Sequence, residues 1–262
     1  MTAVFLSIAN RMPVRGVCQL DLVSSLNDSH RHQARLTKND LPLRWGLLGA
    51  SSENLGLQRN KETMKETSAL PEDLPGLAVK IRACQLCAEH LEHGIRPVLQ
   101  VHGQSRILIA GQAPGRRVHE SGVPFDDPSG ERLRSWLRVD AKSFYDSEQF
   151  AILPMGFCFP GTGKSGDLPP RPECAPAWRD LVLNLLPNIG LTILIGRYAI
   201  DWHLHRKRDS LATIVGDSSI WDEGIFPLPH PSPRNNIWLK KNAWFEQEVL
   251  PTLRQRVASL LK

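Results

Sequence analysis

No stretch of this 262-residue chain reaches the roughly 18 apolar residues of a membrane-spanning helix. Nor is its N-terminus a secretory signal. The apolar run there is short, and the basic residues follow it instead of preceding it. Cysteine is scarce: five residues, an odd number thinly spread. That excludes the disulfide framework of a small secreted domain. It points to a reducing compartment, with the thiols used for a metal or for catalysis, and cytoplasm is the expected location. No internal repeat is present. What the chain does have is 41% apolar residues, enough for a buried core, and a net charge of +5 with a pI of about 9.1. A mild basic excess fits a polyanionic partner such as nucleic acid without requiring one.

Residues 1–66 lack sustained periodicity and mix Ser, Asn and Arg with isolated apolar residues such as Val23 and Leu47. They read as a poorly ordered N-terminal extension, with Met64, just before a well-patterned helix, as an alternative start of translation. Residues 67–262 form the expected domain. A helix opens at Pro71-Glu72-Asp73-Leu74 and carries an apolar face (Leu77, Val79, Ile81, Leu86) up to a cysteine pair. Apolar runs at 106–110, 150–153, 191–195 and 224–228 read as buried strands. Helical patterns follow at 129–137, 172–186, after Gly196, and from about 243 to 261. Strands alternating with helices predict a three-layer α/β/α sandwich around a short, mostly parallel four-stranded sheet. Ligands bind such sheets beyond the carboxyl ends of the strands.

Four cysteines stand out: Cys84 and Cys87 in a C-x-x-C pair, then Cys158 and Cys174. A close pair plus a distant pair can make one tetrathiolate site, and spacing alone leaves zinc and an iron–sulfur cluster both open. Gly161-Thr-Gly-Lys-Ser165 superficially suggests a phosphate-binding P-loop. The motif's first Gly is Cys158 here, and Gly166-Asp-Leu-Pro-Pro170 prevents the helix that must follow, so a flexible basic loop is the better reading. Gly111-Gln-Ala-Pro-Gly115 is a strand-end turn whose backbone N–H groups could hold an oxygen. Phe125, between a loop and a helix cap, suits either a stacking platform or the core. His230 sits between Pro229 and Pro231 at a strand end, a rigid setting that aims an imidazole. The Arg, Asn, Trp and Lys residues of 233–242 suit phosphate and groove contacts, or a solvated helix start.

In this order the pieces resemble the uracil-DNA glycosylase superfamily, most closely its iron–sulfur (family 4-type) branch, over about residues 70–255. The carriers are Cys84/Cys87, Gly111–Gly115, Gly122-Val-Pro-Phe125, Cys158/Cys174 and His230-Pro-Ser232. The resemblance implies a DNA base-excision repair glycosylase that flips out uracil or a related deaminated base and hydrolyses its N-glycosidic bond. It implies a monofunctional hydrolase without lyase activity, working as a monomer on damaged single- or double-stranded DNA. His230 would donate to the base O2, backbone groups at Gly111, Gln112 and Ala113 would hold the same edge, and Phe125 would stack on the ring. The loop 232–237, with Ser232, Arg234 and Asn235, would enter the duplex. A structural [4Fe-4S] cluster would sit on Cys84, Cys87, Cys158 and Cys174. The chain departs from the branch at Gln112, usually Glu, and at Ala113, where water-activating relatives have an acid. Pro154 falls where relatives read the pyrimidine with Asn. Gln112, His119 and Glu120 are the side chains left to position a water. The alternative to catalysis is a DNA- or damage-binding protein on the same fold; an unrelated zinc α/β protein is the third reading.

Overall fold

The computed structural model describes residues 73–261. The expected loose extension over 1–66, the alternative start at Met64 and Cys18 lie outside the described residues. Strands β1 (Ile107–Ala110), β2 (Phe150–Ile152), β5 (Leu191–Ile195) and β6 (Ile225–Leu228) form a four-stranded sheet in the order β2-β1-β5-β6. All three pairings are parallel. In register, Ile109 lies between Ile152 and Ile193, and Ile193 is followed by Phe226. The chain leaves β1 toward β2 on one side and later adds β5 on the other. Such a reversal opens a crevice at the carboxyl ends of the strands.

Strand periodicity explains why the apolar runs are unbroken. Ile107, Ile109, Ile193 and Ile195 face one layer, packed with Leu133, Trp136 and Leu137 of α3 (Pro128–Leu137) and with Leu253 and Val257 of α10 (Leu250–Leu260). Leu108 faces the other, against Leu77 and Ile81 of α1 (Leu74–Arg82) and Val182 of α5 (Cys174–Leu183). Ala110 and Leu194 meet Ala199 and Ile200 of α6 (Arg197–Leu204) on a third patch. A sheet buried on both faces has no polar face to alternate with. Among the described residues no helix is long and apolar enough to cross a membrane.

Several ends differ from the sequence reading. Helix α1 is capped by Asp73, whose Oδ1 accepts from Gly76 N at 2.8 Å, and it stops at Arg82, so Leu86 is not on its apolar face but 57% exposed. Helix α5 is shorter than 172–186. The C-terminal helix begins with a wide turn over Phe245–Val249 before α10. The supposed flexible loop is a hairpin of β3 (Thr162–Gly163) and β4 (Gly166–Asp167). One feature had no sequence signal: Gln100 pairs with Ile152 along the outer edge of β2, donating and accepting at 3.0 and 2.7 Å. At the opposite edge β6 carries Pro227, while Gly224 O and Leu228 O on either side of it accept from Thr192 of β5 and from Gly196 just after β5.

Short helices α4 (Ala141–Phe144) and α2 (Arg116–Ser121) fill the connections. Phe144 of α4 is fully buried and touches Phe125, Tyr145 and Phe150 edge-on or tilted. Replacing it with Ala should lower the unfolding free energy by about 3–5 kcal/mol, read as a lower urea midpoint at unchanged slope.

Candidate active site

Beyond the strand ends lies a cleft of about 440 Å³, lined among others by Gly111, Gln112, Ala113, Phe125, Pro154 and His230. The predicted turn, ring and imidazole thus share one hollow. The turn 111–115 follows β1 directly. Its carbonyls are committed, Gly111 O to Met155 N at 2.9 Å and Gln112 O to Gly156 N at 3.0 Å. The N–H groups of Gln112 and Ala113 have no partner among the described residues, so they are free to donate. The Gln112 side chain turns aside, its Nε2 donating to Leu168 O at 3.4 Å.

Phe125 holds its ring in the cleft from a left-handed backbone, φ 55°. A bulky residue there costs about 1–2 kcal/mol, offset by its surroundings. Its carbonyl accepts from Arg134 Nη1 and Tyr145 Oη, each at 3.4 Å, and its ring meets Phe144 edge-on at 6.2 Å. Gly130, at the start of α3, leaves the carbonyl its room: a Cβ there would overlap Phe125 O. Asp127 caps the same helix, accepting from Gly130 N at 2.8 Å, and also lines the cleft.

His230 follows β6 and is fixed from behind by Asn235, whose Nδ2 donates to His230 O at 2.7 Å. Burial lowers the imidazole pKa below its usual 6.5; Asp127 and Asp167 oppose that and Arg234 adds to it, so burial prevails. The ring is neutral at neutral pH. The rest of the predicted loop stands outside the cleft. Ser232 O accepts from Arg132 Nη1 at 3.2 Å, and the Arg234 guanidinium packs on Gly166 of the hairpin. Ser232 and Asn235 therefore support the loop. His119 and Glu120 do not line the cleft either: His119 Nε2 lies 3.1 Å from His93 O, and Glu120 O accepts from Arg96 at 2.8 Å.

Sequence reasoning missed the group behind the cleft wall. Arg179 is 1% exposed on α5, and its Nη1 donates to Leu153 O at 2.9 Å and Pro154 O at 3.3 Å. Its Nε donates to His203 Nε2 at 3.0 Å. Burial lowers Arg179 to about 10. His203 falls to about 4, through burial first and then the charges of Arg179 and His205. An arginine at helical spacing between Ala175 and Val182 was the available signal.

The four predicted cysteines line a second hollow, with Ile81, Leu91 and Phe157 in its apolar wall. All four are free thiols. Burial pushes Cys158 up to about 11 and Cys174 up to about 12. Phe157 N donates to Cys174 Sγ at 3.4 Å. Among the described residues no group of three or more His, Cys, Asp or Glu side chains is arranged to hold a metal ion.

Residues 100–254 match the model of the uracil DNA glycosylase superfamily. The type-4 uracil-DNA glycosylase of Thermotoga maritima is 25% identical over 157 residues, which cover 58% of this chain and 78% of that protein.

Two outcomes follow from this geometry. Gly130→Ala should destabilise the fold by about 1–3 kcal/mol, seen in thermal melts, because Phe125 must leave its place. His203 titrates near 4 when folded and near 6.5 when unfolded, so the unfolded chain binds the extra proton between those values. Its contribution to stability is complete above pH 6.5 and is lost as pH falls toward 4. His203→Gln, which keeps an acceptor for Arg179, should flatten the fall in urea midpoint over that window.

Proposed function

Because the chain belongs to the uracil DNA glycosylase superfamily, we propose that it hydrolyses the N-glycosidic bond of uracil, or of a related deaminated base, after that base is flipped out of DNA. The observation that carries this reading is the common cleft of His230, Phe125 and the free N–H groups of the 111–115 turn. Cleavage leaves the bonding electron pair on the base and positive charge on the sugar. Negative charge then grows on the base O2. A neutral imidazole still has one N–H, and His230 donates it there. The N–H groups of Gln112 and Ala113 donate to the same edge, and donors set before the reaction need no reorganisation during it. Phe125 stacks on the ring. Pro154 offers the base no side-chain hydrogen bond, so a deaminated base related to uracil is included as substrate. Among the described residues the cleft lining contains no lysine, which supports a hydrolase without lyase chemistry.

DNA is the partner. Arg116 and Arg117, exposed just after the turn, and Lys240 and Lys241, exposed at the end of α9 (Asn236–Lys241), supply phosphate contacts. Arg234 reaches the hairpin, so in this reading it shapes the loop instead of leading it into the duplex.

Cys84, Cys87, Cys158 and Cys174 would hold a [4Fe-4S] cluster. Sulfurs spread around an apolar cavity suit a group wider than one zinc ion, and the N–H bond to Cys174 suits a thiolate acceptor. The cluster would supply a cross-link among three chain segments, and no substrate chemistry. Cys174→Ser should cost the purified protein its brown colour and lower its melting temperature.

Purified protein should leave alkali-labile sites in uracil-containing oligonucleotides, and His230→Ala should slow their formation by about 10²–10³-fold. No base release from uracil, hypoxanthine or xanthine substrates would refute the reading. A salt-dependent gel shift without release would favour the binding-protein alternative raised by Ala113 and Pro154.

A further inference from the structure

Loss of the base leaves the sugar C1′ electron-poor and in need of a water oxygen, and a carboxylate nearby would serve both needs. The turn at the cleft contributes none: it offers the Gln112 amide, already bonded to Leu168, and the Ala113 methyl. The carboxylates whose charge reaches His230 are Asp127 and Asp167. Asp127 is committed as the cap of α3 through Gly130 N. Asp167 has neither a hydrogen bond nor an ion pair to its carboxylate among the described residues. Its Oδ2 lies 3.2 Å from where a Cβ on Gly115 would stand, so it overhangs the last residue of the turn at the cleft edge.

The hairpin that carries Asp167 is held at both sides of the cleft. Leu168 O accepts from the Gln112 side chain, and Leu168 N donates to Gly161 O at 2.9 Å, closing the hairpin. Arg234, from the loop after His230, packs on Gly166, where φ is +130° and a side chain would displace the guanidinium. The exposed Asp167 carboxylate thereby stands at the rim of the cleft, outside its lining, between the 111–115 turn and the loop that follows the imidazole.

We propose that Asp167 is the carboxylate that faces the cationic sugar and orients the attacking water. The C1′–N bond breaks with its electron pair going to the base. The water oxygen bonds to C1′, and its proton passes to Asp167 and then to solvent. This rests on the glycosylase reading above.

The test is single-turnover release of uracil by wild type, Asp167→Asn, Asp167→Glu and Asp127→Asn across pH, beside binding to a duplex holding an uncleavable abasic analogue. Asp167→Asn should slow the chemical step by about 10²–10³-fold, bind the analogue within about twofold of wild type, and lose the acid limb of the pH–rate profile. Asp167→Glu should restore that limb in part. Asp127→Asn, whose amide oxygen still accepts from Gly130 N, should keep it. Wild-type-like rates and profile in Asp167→Asn would overturn the proposal. So would equal losses of binding and rate with the acid limb intact, or loss of that limb in Asp127→Asn alone. Failure of the glycosylase reading would show separately, as no release by the wild type.

Discussion

The buried guanidinium of Arg179 is the contact on which the two cavities depend. Strand β2 ends at Ile152, and the chain must then form the cleft wall at Pro154 and, a few residues on, the cavity wall at Phe157 and Cys158. The carbonyls of Leu153 and Pro154 are buried at this departure, and a buried carbonyl without a donor is costly. Arg179 supplies donors to both from the helix that begins with Cys174. Burial disfavours its charge, and the two carbonyls and His203 compensate by accepting from the guanidinium. One side chain thus ties the cysteine-bearing helix to the wall against which a base would rest.

Around that tie the functional groups are held by backbone devices, not by long side-chain networks. His230 is flanked by prolines and anchored through its carbonyl. Phe125 is kept in a left-handed conformation by donors to its carbonyl and by the bare Cα of Gly130. The turn is pinned through the carbonyls of Gly111 and Gln112, while the N–H groups of Gln112 and Ala113 have no partner among the described residues. Each device fixes an atom before any ligand arrives, which is what electrostatic stabilisation of a developing charge requires.

The strands were legible because both faces of a parallel sheet are buried, so Ile107–Ala110 and Leu191–Ile195 read as plain apolar runs closed by Gly. The meeting of Gly111–Gly115 and His230 followed from one rule about strand ends, whereas Phe125 was brought to the site only by the family resemblance. Helix ends were less legible: Leu86 fits the apolar period of α1, yet the chain turns at Ala83 to present Cys84 and Cys87. Residues whose importance comes from long-range partners left little trace. Arg179 looked like one more polar position on a helix, and Asp167 like part of a glycine-rich loop, because neither Leu153 O nor Gly115 is near them in the chain. Arg234 was expected to enter the duplex with the loop 232–237, and its seat on Gly166 left no trace in the sequence for the same reason.

Among the described residues, each margin of the sheet carries a feature that works against a further strand. Gln100 already occupies the outer ladder of β2, and Pro227 removes an amide hydrogen from the outward side of β6. Among the described residues, both margins work against lateral growth by recruitment of a neighbouring molecule's backbone. Contact between copies is left to helix and loop surfaces, and a four-stranded sheet with few hydrogen bonds to spare is guarded against templated aggregation.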